Sequence, residues 1–121
     1  MKMYSILYHE VQPENLAVTM HSGDLEVLAT PQMIAWMEEA SCKITNCEEG
    51  MTTVGILMNV THDAPSALHA RVRVVSELVE QNGKIYTFNV SAWQGEKCLG
   101  KGVHKRATVN AKRFMEKLHQ N

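Results

Sequence analysis

Thr30-Pro31-Gln32-Met33-Ile34-Ala35-Trp36-Met37-Glu38-Glu39-Ala40-Ser41-Cys42-Lys43-Ile44 is the one long stretch of this chain with helical spacing. Threonine is a good N-cap and proline is favoured at the first helical position, so a helix is predicted to open at Thr30-Pro31. Met33, Met37, Ala40 and Ile44 then recur at intervals of three and four, the period of a packed helix face. Apolar or small residues run around much of its circumference, as on a helix that other elements wrap. Gly50 suits a left-handed C-terminal cap, so the helix is expected to stop near it.

Outward from that helix the pattern is β. Residues 1 to 11 read as a strand. Residues 12 to 28 hold Pro13 and the turn signal Ser22-Gly23-Asp24, so a loop is expected. Residues 52 to 62 are rich in β-branched side chains and end at Ala64-Pro65-Ser66. Residues 70 to 80 carry Val72, Val74, Val75 and Val79. Asn82-Gly83 is a two-residue hairpin signal. Residues 84 to 93 alternate Tyr86, Phe88, Val90 and Ala92 with polar neighbours. Gln94-Gly95-Glu96 is a second turn before a last strand over residues 97 to 109. A short helix over residues 110 to 119, capped by Asn110, closes the chain. Hairpin connections make the sheet antiparallel. One helix followed by a meander implies an α+β fold in which an antiparallel sheet curls around one central helix. The free sheet edges are expected to pair with a second copy.

The 121 residues suit one domain over residues 1 to 121. A net charge of −1 excludes a general nucleic-acid binder, and the basic run from Lys101 to Arg106 is broken by Gly102, Val103 and His104. No span of about 18 apolar residues predicts a membrane helix. The apolar residues 3 to 8 are too few for a signal-peptide core. The three cysteines are odd in number, and Cys42 and Cys47 lie roughly 140° apart around a helix, so no metal site is expected. The expected compartment is the reducing cytoplasm.

Chemistry-bearing residues cluster at a few positions. Glu39 has Lys43 four residues on, the sign of a solvated pair. Glu38 has Ile34, Ala35, Ser41 and Cys42 as helical neighbours. A carboxylate in such company is partly desolvated, as a general acid or base requires. The competing reading is that Glu38 simply faces solvent. His62 follows Val54, Ile56, Met58 and Val60 at even positions, on an apolar face if the strand stays regular. A core histidine fits that position as well as a catalyst does. Gly55 within the strand marks a bulge or a close backbone approach, and its amide is a candidate oxyanion donor. Gly100, Gly102, His104 and Arg106 share one side of the last strand. The glycines leave room for a ligand there, with Arg106 meeting an anion, or Arg106 forms a solvated ion pair. The eight methionines read as core. No Walker loop, dinucleotide glycine motif or nucleophile elbow is present.

Taken together, the motifs resemble one family. Leu28-Ala29-Thr30-Pro31-Gln32-Met33 with Met37-Glu38 is similar to the helix start of the fluoroacetyl-CoA thioesterase-like family of hot-dog folds. Gly50-Met51-Thr52-Thr53-Val54-Gly55, Asn59-Val60-Thr61-His62 and Ala64-Pro65 resemble its next strand. Gly102-Val103-His104-Lys105-Arg106 resembles its Gly-x-His-x-Arg close, and Arg113-Phe114 its final helix. The resemblance spans about residues 16 to 118.

It implies a hot-dog homodimer, able to pair into a tetramer, that hydrolyses acyl thioesters such as acyl-CoA. Coenzyme A is then part of the substrate, with no separate cofactor, no nucleic acid and no membrane partner. The family's catalytic threonine, glutamate and histidine fall on Thr30, Glu38 and His62. Its substrate-binding strand glycine and terminal arginine fall on Gly55 and Arg106. The segment from His21 to Glu26 lacks the aromatic residues of the fluoroacetate-processing members, which points away from fluoroacetyl-CoA itself. Two alternatives stay open at this stage: a non-catalytic acyl-CoA-binding hot-dog protein, and a hot-dog hydratase or dehydratase.

Overall fold

The computed structural model describes residues 3 to 120. Five antiparallel strands form one sheet: β1 (Met3–Glu10), β2 (Met51–Val60), β3 (Arg71–Asn82), β4 (Ile85–Gln94) and β5 (Lys97–Asn110). Their order across the sheet is β1-β3-β4-β5-β2, so the first two strands in sequence are its outer edges. Met1 and Lys2, part of the first expected strand, lie outside the described residues.

The central helix, residues Thr30–Cys42, lies on one face of this sheet. Met33, Trp36, Met37 and Ala40 are buried against Val72, Val74, Phe88, Val90 and Ala92. Burying a Met or Phe side chain contributes roughly 1.5–3 kcal/mol, so this seam holds helix and sheet together. Ser41, fully buried, donates to the Met37 carbonyl (2.9 Å) and meets Ser76 at 2.8 Å. The helix therefore touches β3 through a satisfied polar pair as well as apolar contact.

Helix boundaries differ from expectation at both ends. Ala29, not Thr30, occupies the N-cap with extended backbone, and no side chain caps the helix. The helix ends at Cys42, eight residues before Gly50. Thr45 donates its hydroxyl to the Cys42 carbonyl, giving the last turn a side-chain partner. Ile44 stays buried after the chain has left the helix. Gly50, with φ +84°, belongs instead to the turn into β2, where its carbonyl accepts from Ala111.

Residues 12 to 28 are ordered rather than an open loop. Pro13–Asn15 form a 3₁₀ turn and Ala17–Met20 one α turn, closed by the bridges Leu16–Leu28 and Val27–Ala67. The Gln12 amide donates to Asn15 Oδ1 at 2.8 Å. Both hairpins form, the first one residue later than its Asn82-Gly83 signal and the second within Gln94-Gly95-Glu96. Asn82 still pairs with Ile85, and Gln94 with Lys97. The two-residue loops are Gly83-Lys84 and Gly95-Glu96, with positive φ at each glycine, as tight primed turns require.

β2 is bulged between Gly55 and Leu57, leaving Ile56 without a partner on β5. The extra residue switches which side chains face the helix. Thr53 and Gly55 face it before the bulge, and Met58 and Val60 after it. Ile56 is 51% exposed, not part of the apolar face that strict alternation predicts. The last helix, Ala111–His119, opens with Asn110 accepting from the Arg113 amide at 2.9 Å, as expected.

Candidate active site

Two polar clusters lie where the helix meets the sheet. In the first, Thr30 stands at the first helical position and is free of the capping role. Its Oγ1 sits 2.6 Å from His62 Nδ1. His62 lies just past the end of β2, on backbone pinned by the Thr61 amide to Lys101 and the Asp63 amide to Leu99. Burial pushes the His62 imidazole below its ordinary value of 6.5; the Ala64 backbone and the Asp63 charge partly oppose this. His62 Nε2 is buried, on a ring that the Ala64 backbone also reaches. A cleft of about 350 Å³ opens here, lined by Thr30, His62 and Pro65 and by Ser22, Leu25 and Val27 opposite.

The second cluster surrounds Glu38. Its Oε2 lies 3.7 Å from Arg106 Nη1. Arg106 is 8% exposed and fixed on three sides. Nε donates to Thr53 Oγ1 (2.9 Å), Nη2 to the Thr53 carbonyl (3.1 Å), and Nη1 to His104 Nε2 (3.2 Å). His104 donates from Nδ1 to the Leu57 carbonyl at 2.8 Å. That bond and the arginine donor together require a neutral ring with its proton on Nδ1. Burial lowers the His104 pKa below 6.5; the Leu57 carbonyl opposes this, while the Arg106 charge adds to it.

Gly55 is glycine because Glu38 and Arg106 come so close. A Cβ there would stand 3.0 Å from Glu38 Oε2 and 3.5 Å from Arg106 Nη1. The uncompensated setting expected for Glu38 is not what the fold builds. Its side chain is 41% exposed and has a counter-charge from β5, which helix neighbours alone do not reveal. Glu39 meets His9 of β1 at 2.8 Å rather than the Lys43 expected from helix spacing. His9 also stacks on Trp36, 4.5 Å between ring centres.

The room expected over Gly100 and Gly102 is filled by the protein itself. A Cβ on Gly100 would run into the Thr61 carbonyl oxygen and the Met33 side chain, and one on Gly102 into the Asn59 carbonyl. These glycines let strands and helix approach where a side chain would otherwise stand. Arg106 is a buried partner of Glu38, not the solvated ion pair that was one of its two readings.

Thr30 joins His62, and Glu38 joins Gly55 and Arg106. Eight residues of helix separate Thr30 from Glu38, about 12 Å along the axis. One protomer therefore holds the expected residues in two places. Thr53 was missed as a member of the second group, and His104, placed on the side of Arg106, was given no role. The signal for His104 was its two-residue spacing from Arg106 on one strand face. Thr53 becomes visible only once the bulge is known.

An antiparallel sheet curled on one helix, with these polar groups at the seam, defines a hot-dog-fold thioesterase. Residues 11–112 match the family described as FlK, fluoroacetyl-CoA-specific thioesterase, and the chain belongs to that family. The fluoroacetyl-CoA thioesterase of Streptantibioticus cattleyicolor is 33% identical over 97 residues, 78% of this chain and 70% of that one. The solved structure of the fluoroacetyl-CoA thioesterase FlK superposes with a TM-score of 0.94 at 26% identity, covering 100% of this chain and 96% of that one. A mutant of FlK in complex with fluoroacetate and CoA matches with a TM-score of 0.88 at 26% identity, covering 94% and 98%. A hot-dog-like protein from Thermanaerovibrio acidaminovorans, 20% identical, shares the fold (TM-score 0.89, covering 98% and 89%).

Proposed function

We propose that this protein hydrolyses acyl-CoA thioesters at a site that two copies build together. The observation that carries the reading is the 2.6 Å contact of Thr30 Oγ1 with His62 Nδ1. A hydroxyl against an imidazole kept neutral by burial is a nucleophile–base pair. The Thr30 oxygen attacks the thioester carbon as His62 takes its proton. The carbon–sulfur bond breaks, and the CoA thiolate leaves with that proton. A water then adds to the acyl-threonine carbon while Glu38 accepts its proton. The carboxylic acid departs, and the proton on Glu38 returns to the Thr30 oxygen. The Gly55 amide is assigned to the oxyanion, and Arg106 positions Glu38.

A second copy closes the 12 Å gap left within one protomer. β2 is an edge strand with Ile56 and Leu57 51% and 43% exposed. Exposed strand edges pair readily with an identical edge. Antiparallel pairing of two β2 edges about a two-fold axis near Met58 sets Gly55 of the partner subunit across from Thr61. That brings the Glu38 of the partner subunit toward Thr30 and His62. The segment from His21 to Glu26 beside the cleft has no aromatic residue, which points away from fluoroacetyl as the acyl group. Three free thiols, Cys42, Cys47 and Cys98, fit the reducing cytoplasm.

The test is mass spectrometry of the protein quenched during turnover of an acyl-CoA. An acyl adduct on Thr30, enriched in Glu38→Gln and missing in Thr30→Val, is the expected result. Full turnover by Thr30→Val would overturn the assignment of Thr30 as nucleophile.

A further inference from the structure

We infer that the cleft between α3 (Ala111–His119) and the open end of the β2–β5 pair binds the phosphate-bearing adenosine end of coenzyme A. The inference rests on the acyl-CoA reading above and locates the half of the substrate that the chemistry does not touch. The cleft holds about 400 Å³. Lys84, Arg113 and Lys117 line it, and its described lining includes no Asp or Glu. Among the described clefts this sets it apart. The one beside Thr30 carries Asp24 and Asp63, and the groove across the sheet's outer face sets Lys101 against Glu77.

The three cations come from two separate elements, so the charge is gathered in space and not merely along the sequence. Arg113 and Lys117 are four residues apart, one turn of α3, and therefore share a helix face. Phe114 lies on the same side of the cleft and is 43% exposed. An exposed aromatic ring among cations suits a base that carries phosphates: the ring stacks on the base, and the cations meet the anionic oxygens. Arginine adds a planar fork that matches phosphate geometry.

Placement agrees with the proposed chemistry. Gly55 pairs with Arg106, Thr53 with Thr108 and Met51 with Asn110 in direct register. Side chains at alternate positions of a strand point to one face, so these pairs form one row. At about 3.3 Å per residue, Met51 lies about 13 Å along the strand from Gly55. The row thus runs from the Glu38 and Arg106 cluster to Met51, Thr108 and Asn110 in the cleft wall. A pantetheine arm laid along it carries a thioester at Gly55 to a nucleotide at Phe114.

The experiment compares one acyl group on CoA and on pantetheine, with the wild type and with Arg113→Ala/Lys117→Ala and Phe114→Ala variants. None of these residues belongs to the reacting groups. The expected result is a KM for acyl-CoA raised roughly tenfold or more in the double variant, with kcat unchanged. KM for acyl-pantetheine should not move. Titration calorimetry with adenosine 3′,5′-bisphosphate should show binding to the wild type that the double variant loses. This binding is read without turnover, so it supports the cleft assignment even if no thioester is cleaved. Hydrolysis with equal KM changes on both substrates, or no binding of the bisphosphate, would overturn it. So would variants that impair only an acyl-carrier-protein substrate and leave acyl-CoA untouched.

Discussion

At the scale of residues, two histidines share a cause and differ in use. Burial lowers both pKa values. For His62 this keeps the base form available as the pH falls. The acid limb of kcat/KM should therefore have its midpoint below 6.5, the ordinary imidazole value, as read from a pH–rate profile. For His104 the consequence is stability. A histidine with a lowered folded pKa binds protons better when unfolded, so stability is full above the unfolded value and drains as the pH falls from about 6.5 toward the folded value. Denaturant midpoints should decline over that interval, and His104→Gln should flatten the decline. Glu38, His62 and Gly55 were legible as candidates because each broke a local pattern. The counter-charge on Glu38 was not, since Arg106 lies 68 residues away and only sheet register joins them. Thr30 was misread as a cap because cap propensity is local, whereas its partner His62 comes from across the fold.

Elements show where tight approach decides the outcome. Gly100 faces the Thr61 backbone, which cannot retreat cheaply, as well as the end of the Met33 side chain. Gly100→Ala should cost on the order of 1–3 kcal/mol by overpacking, measured as a fall in the urea midpoint. Gly55→Ala is a different case. The nearest atom is the end of the Glu38 side chain, which can swing aside. It should keep its stability to within about 1 kcal/mol yet lose activity as the carboxylate moves. The succession of strands along the chain was readable from alternation and turns, and the helical period located the central helix. The bulge at Ile56 and the early helix end at Cys42 were not. The bulge is settled by the ladder to β5, a contact far along the chain, and the helix end by the local Thr45 bond to the Cys42 carbonyl, which helical periodicity does not register.

For the whole molecule, the two site clusters lie too far apart in one protomer to act on one carbonyl. The account therefore requires pairing of the β2 edges. Leu57→Lys, an exposed change on that edge, should shift the protein to monomer in sedimentation and reduce turnover in step. A monomer with full activity would contradict the composite site. Family membership sets the reaction class. The most direct measurement is thiol release from short, branched, aromatic and long acyl-CoAs by the wild type and by Glu38→Gln, with both shown to be folded. The account predicts release by the wild type and a rate lowered on the order of 10²–10⁴-fold by the substitution. Equal rates for the two proteins, or no release from any acyl-CoA, would contradict it.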